Sequence, residues 1–175
     1  DASLLQGELG ALRCAVMLEQ HNDILTAGLR IANEEKATTE MKEEARLAMA
    51  RSCFDQGLRD MAFDQYAALA SSSNGEYNGE ARCRMAEILM LNGEYDRAEQ
   101  TIEDIVADAS SDYWLAYSFI LWADIYYARG NSLQAKQTLQ SILDNYDGED
   151  LLTIARQKYE AIVAAEQPVQ AAADE

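Results

Sequence analysis

The chain of 175 residues has only one proline, Pro168, and it lies near the C-terminal end. Proline removes a backbone donor and clashes with the preceding helical turn, so its exclusion from the rest of the chain favours an almost wholly helical protein. There is also no uninterrupted apolar run of about 18 residues, so we expect no membrane-inserted segment. Apolar residues make up 49% of the chain, which is enough to build a helical core.

Residues that usually carry chemistry are few. The only histidine, His21, falls at a predicted turn, and the three cysteines, Cys14, Cys53 and Cys83, are widely separated. This composition gives neither the ligand spacing of a zinc site nor the partners of a Ser-His-Asp or Cys-His nucleophile. The nine glycines are dispersed at turns and form no phosphate-binding loop. We therefore expect no catalytic residue, no metal site and no cofactor.

Basic residues are outnumbered, with 14 lysines and arginines against 31 acidic residues and a net charge of −17. Nucleic-acid binding draws most of its affinity from a basic surface, so this balance argues against a nucleic-acid partner. It also argues against docking on anionic lipid. Two interpretations of the acidic surface remain open, namely solubility alone and a preference for cationic partners.

The segment 80–107 reads as two short amphipathic helices around a turn at Gly93. Apolar or small residues recur with the three-and-four spacing of one helical face on both sides of that turn. Gly93 can adopt the left-handed conformation that ends a helix. Two small residues, Ala86 and Ala98, would let the two helices approach closely.

The same pattern occurs four times. The small-residue pairs, always twelve residues apart, are Ala15/Ala27, Ala50/Ala62, Ala86/Ala98 and Ala123/Ala135. The copies are offset by 35, 36 and 37 residues. In the first copy Asn22 stands where the others have the turn glycine, and asparagine also tolerates a positive φ. In this register Cys14 and Cys53 occupy core positions, so we interpret them as buried apolar residues.

Four copies in phase resemble the tetratricopeptide repeat (TPR), which has a small residue at position 8, Gly-x-Tyr at 15 to 17 and Ala at 20. The segment 114–147 looks like the C-terminal repeats of large bacterial, Bacteroidetes-type, TPR proteins. The resemblance implies an all-α, right-handed superhelix of four helix pairs plus a C-terminal capping helix. The expected boundaries are repeats at 8–42, 43–78, 79–115 and 116–148, a capping helix at 149–165 and a disordered tail at 166–175.

The resemblance also implies a function, that of a scaffold that binds a peptide or a segment of a partner protein in its concave groove. Positions 2, 5, 9, 12 and 13 of the first helices line that groove in TPR proteins. The expected peptide-binding residues are Arg51, Phe54, Glu87, Met90, Tyr117, Asp124, Tyr127 and Arg156. The alternative for each of these residues is packing between neighbouring first helices.

Two further functions stay open. The chain could be a structural spacer that self-associates, or the substrate-recruiting part of a larger enzyme. Self-association would use an apolar N-terminal end, for which the candidates are Leu4, Leu5, Leu9 and Leu12. In the fourth repeat the sequence predicts a buried aromatic stripe of Phe119, Trp122 and Tyr126, because they recur at helical spacing.

Overall fold

The structure is a computed structural model that describes residues 2–173. Within that range the chain forms nine helices and no strand, so the all-α prediction is confirmed. The helices are α1 (Ala2–Met17), α2 (His21–Asn33), α3 (Thr39–Asp55), α4 (Arg59–Ala67), α5 (Gly75–Leu91), α6 (Tyr95–Asp108), α7 (Asp112–Ala128), α8 (Ser132–Asn145) and α9 (Glu149–Ala173).

The helix starts follow the capping signals in the sequence. The hydroxyl of Thr38 accepts from the backbone N–H of Met41 at the start of α3, and Ser111 does the same for Trp114 at the start of α7. At the start of α8 the side-chain oxygen of Asn131 accepts from a backbone N–H in the first turn. These contacts satisfy donors that the first helical turn leaves without an intrahelical partner.

The chain divides into two compact units, which comprise residues 1–88 and 89–175. In the first unit α1 packs on α2 and α3, α2 packs on α3, and α3 packs on α4. In the second unit α6 packs on α7, α7 packs on α8 and α9, and α8 packs on α9. The last helix, α9, contacts α7 and α8 in the same way as α3 contacts α1 and α2. It therefore occupies the position of the first helix of a further helix pair.

The end of α9 differs from the prediction. The helix continues to Ala173, so residues 166–173 are helical where a disordered tail was predicted. Six of the eight residues in this stretch are alanine, glutamate or glutamine, which are good helix formers, and the helix continues through Pro168. The last two residues of the predicted tail lie outside the described residues.

Four helix–helix turns share one backbone geometry. Each has one residue in the left-handed region: Glu19 (φ 53°), Gly57 (72°), Gly93 (79°) and Gly130 (79°). The N–H that follows this residue donates to the carbonyl five residues back, at 2.8–2.9 Å in all four turns. The N–H of the left-handed residue itself donates three residues back, at 2.9–3.1 Å. This pair of bonds defines a Schellman motif, so the same helix-ending device occurs four times.

The first copy has a different register from the predicted one. Its left-handed residue is Glu19, and Asn22 instead lies inside α2. The residues that match the inter-helix pairs of the other copies are therefore Leu12 and Ile24, rather than Ala15 and Ala27. Both side chains are buried, with 1% and 4% exposed. The pattern was misread because this copy has no glycine at the turn.

Glu19 supplies a stability test of this register. A non-glycine residue in the left-handed conformation costs about 1–2 kcal/mol, so we expect Glu19→Gly to stabilise the chain by about 1 kcal/mol. The matched control is Asn22→Gly, which places glycine in a helix and should give no gain. Urea denaturation of both variants measures this. A stabilising Asn22→Gly with a neutral Glu19→Gly would restore the original register.

Two predictions fail with that register. Cys14 is exposed rather than buried, because it lies two residues beyond Leu12 on another side of α1. Among the four N-terminal leucines, only Leu4 is exposed. Leu5, Leu9 and Leu12 belong to a buried cluster in the first unit that includes Ile24 and Ile31. These three side chains are thus unavailable for the predicted self-association surface, since α1 packs them onto α2 and α3.

Thiol reactivity gives a second test. The reactive species is the thiolate, and burial raises the pKa of the Cys53 thiol and raises the pKa of Cys83 to about 12. Only Cys14 is exposed. We expect a disulfide reagent such as Ellman's reagent to modify one thiol quickly in the native chain and all three in denaturant. Fast modification of two or more native thiols would contradict the burial of Cys53 and Cys83.

The helix contact of the fourth repeat forms the core of the second unit. Ala123 of α7 and Ala135 of α8 are buried in one cluster with Ile120 and Leu139, as the small-residue spacing predicts. Ala98 is fully buried as well. The close approach of the helices in this pair follows from the small side chains.

The predicted aromatic stripe is only half-buried. Phe119, Trp122 and Tyr126 stack in a row, with ring centroids 6.0 Å apart at each step. The indole N–H of Trp122 donates to a carboxylate oxygen of Glu99 at 3.0 Å, which keeps the ring at the surface of α6 and α7. Together with Arg129, this bond lowers the pKa of Glu99. The buried residues of α7 lie on other sides of the helix, which is apolar nearly all round.

Candidate protein-binding groove

The first unit carries a groove of about 540 Å³ on α1 and α3. Its lining residues are Leu12, Arg13, Val16, Met17, Glu19, His21, Ile24, Glu44, Leu47, Ala48, Arg51, Ser52, Asp55 and Tyr77. All but Tyr77 come from the first two helix pairs and the turn between α1 and α2. Most of the lining comes from the first helices α1 and α3, and His21 and Ile24 of α2 also belong to it.

Some of the predicted groove positions line this surface. In the second copy Glu44, Leu47, Arg51 and Asp55 occupy predicted positions and line the groove. In the first copy the corrected register assigns positions 9, 12 and 13 to three further lining residues, Arg13, Val16 and Met17. Sequence reasoning missed these three because the turn of the first copy has no glycine. The sequence does contain one signal for the correct register, because Leu12 and Ile24 are twelve residues apart, as are the small-residue pairs of the other copies.

Two ion pairs bridge successive first helices along the groove. Arg13 of α1 donates to both carboxylate oxygens of Glu44 on α3, at 2.6 and 2.8 Å. Arg51 of α3 donates to both oxygens of Glu80 on α5, at 2.7 and 2.5 Å. In both cases an arginine at position 9 meets a glutamate at position 2 of the next first helix. The hydrogen bonds raise the pKa of each guanidinium, and the bidentate geometry fixes both side chains.

The single histidine also contacts the groove. His21 begins α2, and its Nδ1 lies 2.9 Å from the hydroxyl oxygen of Ser52 on α3. The amide of Gln56 donates to the carbonyl and to the hydroxyl of the same serine, at 3.1 and 3.3 Å. Sequence analysis expected no Ser-His pairing. Ser52 is buried and its hydroxyl contacts both His21 and Gln56, so these contacts join α2 to α3.

Besides the two paired arginines, the groove exposes apolar and acidic side chains. Met17 is 83% exposed and Val16 is 43% exposed, above a buried floor that includes Leu47. Two carboxylates, Glu19 and Asp55, stand at the end where the helix pairs turn, and both are exposed. Neither has an ion-pair partner within residues 2–173. The groove therefore presents apolar surface beside unneutralised negative charge.

The remaining predicted site residues of the first unit are engaged outside this groove. The guanidinium of Arg84 lies 5.1 Å from the ring centroid of Phe54, a cation–π arrangement. The same arginine donates to Glu87 at 2.6 Å. Phe54 and Glu87, two of the expected peptide-binding residues, are therefore absent from the lining of this groove.

In the second unit the predicted residues lie on α7 and α9, and Met90 is half-buried near the end of α5. Tyr117 stacks on Tyr113 with centroids 6.4 Å apart. Asp124 accepts from the ammonium of Lys158 at 2.8 and 2.9 Å. Tyr127 is exposed.

Arg156 has a distant ion pair with Glu149, at 4.0 Å. The contacts of α7 with α9 thus use part of the predicted surface for packing and leave Tyr127 and Arg156 accessible.

A second cavity, of about 620 Å³, lies in the second unit between α7, α8 and the loop before α9. Its lining residues are Asp112, Leu115, Ala116, Phe119, Ser141, Ile142, Asn145, Tyr146, Asp147 and Gly148. None of them occupies a predicted groove position. The ring of Tyr146 covers Gly148 so closely that a β-carbon there would lie 2.4 Å from it.

Metal binding and membrane insertion find no support in the described residues. That part of the chain contains no group of three or more His, Cys, Asp or Glu side chains able to hold a metal ion. None of its helices combines the length and the apolarity that crossing a bilayer requires.

Comparison with known proteins gives no indication of function, so the proposal below is based on the residues described above. No protein-family model matches the sequence, and no curated protein shows significant similarity to it.

Proposed function

We propose that the chain is a TPR-like repeat array, a right-handed superhelix, that acts as a protein–protein interaction scaffold. The observation that carries this proposal is that equivalent positions of two aligned repeats line one groove. The shared Schellman turn aligns the first two repeats, and the aligned positions 9 and 13 of both line the same groove. The likeness to the C-terminal repeats of large bacterial TPR proteins belongs to the same proposal.

The groove suits a segment of a partner protein. Its volume of about 540 Å³ is within the range of small-ligand sites, and its face extends along two helices rather than closing around a cavity. Exposed Met17 and Val16 offer flexible apolar surface, which protein-binding interfaces favour. Tyr127 and Arg156 are exposed on α7 and α9 of the second unit, and their role in binding stays a prediction.

The alternatives are a structural spacer and the recruiting part of a larger enzyme. Burial of Leu5, Leu9 and Leu12 removes most of the apolar end on which self-association was based. The groove favours the binding scaffold over a spacer, because a spacer needs no exposed apolar surface beside first-helix charges. A recruiting role within an enzyme would use the same groove.

Selection from an unbiased peptide library against the full chain tests the proposal. We expect selected segments to lose affinity at least about tenfold in the Met17→Asp variant, which places a charge on the apolar wall. Leu133→Asp is the matched control, since Leu133 is an exposed apolar residue on α8 outside the groove. Segments that bind both variants like the parent would refute the groove as the binding site.

A further inference from the structure

The charges of the groove define which segment it accepts, an inference that rests on the proposed function. By register Glu44 and Glu80 take position 2 of the second and third repeats, which is a predicted groove position. The structure shows both neutralised by bidentate arginines, Arg13 and Arg51. A partner's charge would have to break two charge-assisted hydrogen bonds to use either pair. The groove therefore contains two arginines whose charge is already neutralised.

This arrangement disfavours an acidic partner. A groove arginine recognises a carboxylate through its positive charge and its N–H donors, and in both arginines a glutamate already neutralises the charge and occupies Nε and one terminal nitrogen. The carboxylates left over, Glu19 and Asp55, would repel an acidic segment. The net charge of −17 adds a longer-range repulsion of the same sign.

The two unpaired carboxylates, Glu19 and Asp55, lie at one end of the groove. Glu19 is the left-handed residue of the first turn, and Asp55 is two residues before the left-handed residue of the second. Because the turns of successive repeats are equivalent, both carboxylates belong to the turn end of their helix pairs, and both line the groove. Met17 and Val16 lie next to them along α1.

We propose that the groove binds a basic-apolar segment of a partner protein, with a lysine or arginine at the Glu19–Asp55 end and an aliphatic side chain on Met17 and Val16. Burial of the aliphatic side chain against Met17 supplies the larger part of the affinity, since apolar area removed from water is the main favourable contribution. The two carboxylates orient the segment and raise its association rate. The bidentate pairs hold α1, α3 and α5 at fixed spacing beneath it.

The test removes the two carboxylates and compares the result with a matched loss of charge elsewhere. The groove variant is Glu19→Gln/Asp55→Asn. The control is Glu35→Gln/Asp64→Asn, which removes the same two kinds of charge from exposed positions outside the groove. Peptides selected against the full parent chain are measured with all three proteins by calorimetry, at low and at high salt.

We expect selected segments to contain a lysine or arginine near an aliphatic residue. Their affinity should fall about tenfold in the groove variant at low salt and less than about twofold in the control. The difference between the variants should shrink at high salt as the charges are screened.

The outcomes separate this inference from the proposed function. Segments that lose affinity in Met17→Asp but are acidic, or that bind the groove variant and the control alike, overturn the basic-apolar assignment and leave the groove as the site. Segments that are insensitive to Met17→Asp overturn the groove itself, and this inference with it.

Discussion

Leu12→Ala should destabilise the chain by about 2–5 kcal/mol, the cost of removing a fully buried leucine and leaving a cavity. The side chain is 1% exposed and belongs to the core cluster of the first unit, among residues of α1, α2 and α3. The corrected register gives it the central inter-helix position of the first repeat. Denaturant unfolding monitored by circular dichroism measures the change in free energy.

Leu4→Ala is the matched control for that experiment. Leu4 lies on the same helix and loses the same atoms, but it is exposed, so the expected change is within about 0.5 kcal/mol. Equal losses in both variants would show that α1 does not pack as described. A large loss for Leu4 alone would restore the original view of the N-terminal leucines as an apolar surface that needs a partner.

Arg51→Met should destabilise the chain by about 2–3 kcal/mol, because it strands the carboxylate of Glu80. Loss of one partner of a fully buried ion pair costs about 3–5 kcal/mol. Here the Glu80 side chain is 8% exposed while the Arg51 side chain is 56% exposed, so solvent screens part of that cost. The change in urea midpoint at constant slope is the measurement.

A second substitution and a control identify the cause. Adding Glu80→Leu removes the stranded charge and should recover much of the loss, which a double-mutant cycle would register as coupling of about 1–2 kcal/mol. Arg13→Met should cost much less than Arg51→Met, since the side chain of Glu44 is more exposed than that of Glu80 and solvent screens the pair. Additive effects at Arg51 and Glu80 would contradict the stabilising role of this pair.

The helix boundaries were predictable where a glycine lies at the turn between two helices. Gly57, Gly93 and Gly130 marked three turns correctly, because only glycine adopts the left-handed conformation without steric cost. Glu19 also adopts the left-handed conformation, but glutamate has no preference for it, so the sequence does not indicate this turn. The first repeat was therefore placed three residues too late, and the errors at Cys14 and at the N-terminal leucines followed from the same displacement.

The candidate site was predictable in position more than in composition. The periodicity of α3 places Arg51 and Asp55 on a common face, and in the structure both line the groove. That the groove binds a partner stays a prediction. Sequence periodicity says nothing about which charges on that face neutralise each other. Arg51 and Glu80 are 29 residues apart in the sequence, and whether they meet depends on how α3 and α5 pack. Only the structure therefore shows which charges of the groove remain unpaired.

Hydrogen exchange of the full chain with and without a selected segment tests the central claim most directly. Mass spectrometry resolves exchange along the backbone, so it locates the bound segment without any substitution. The groove predicts slower exchange in residues 13–21 and 47–56 on binding, with residues 132–146 unchanged. Protection confined to residues 132–146, or binding without protection of either groove segment, would contradict it.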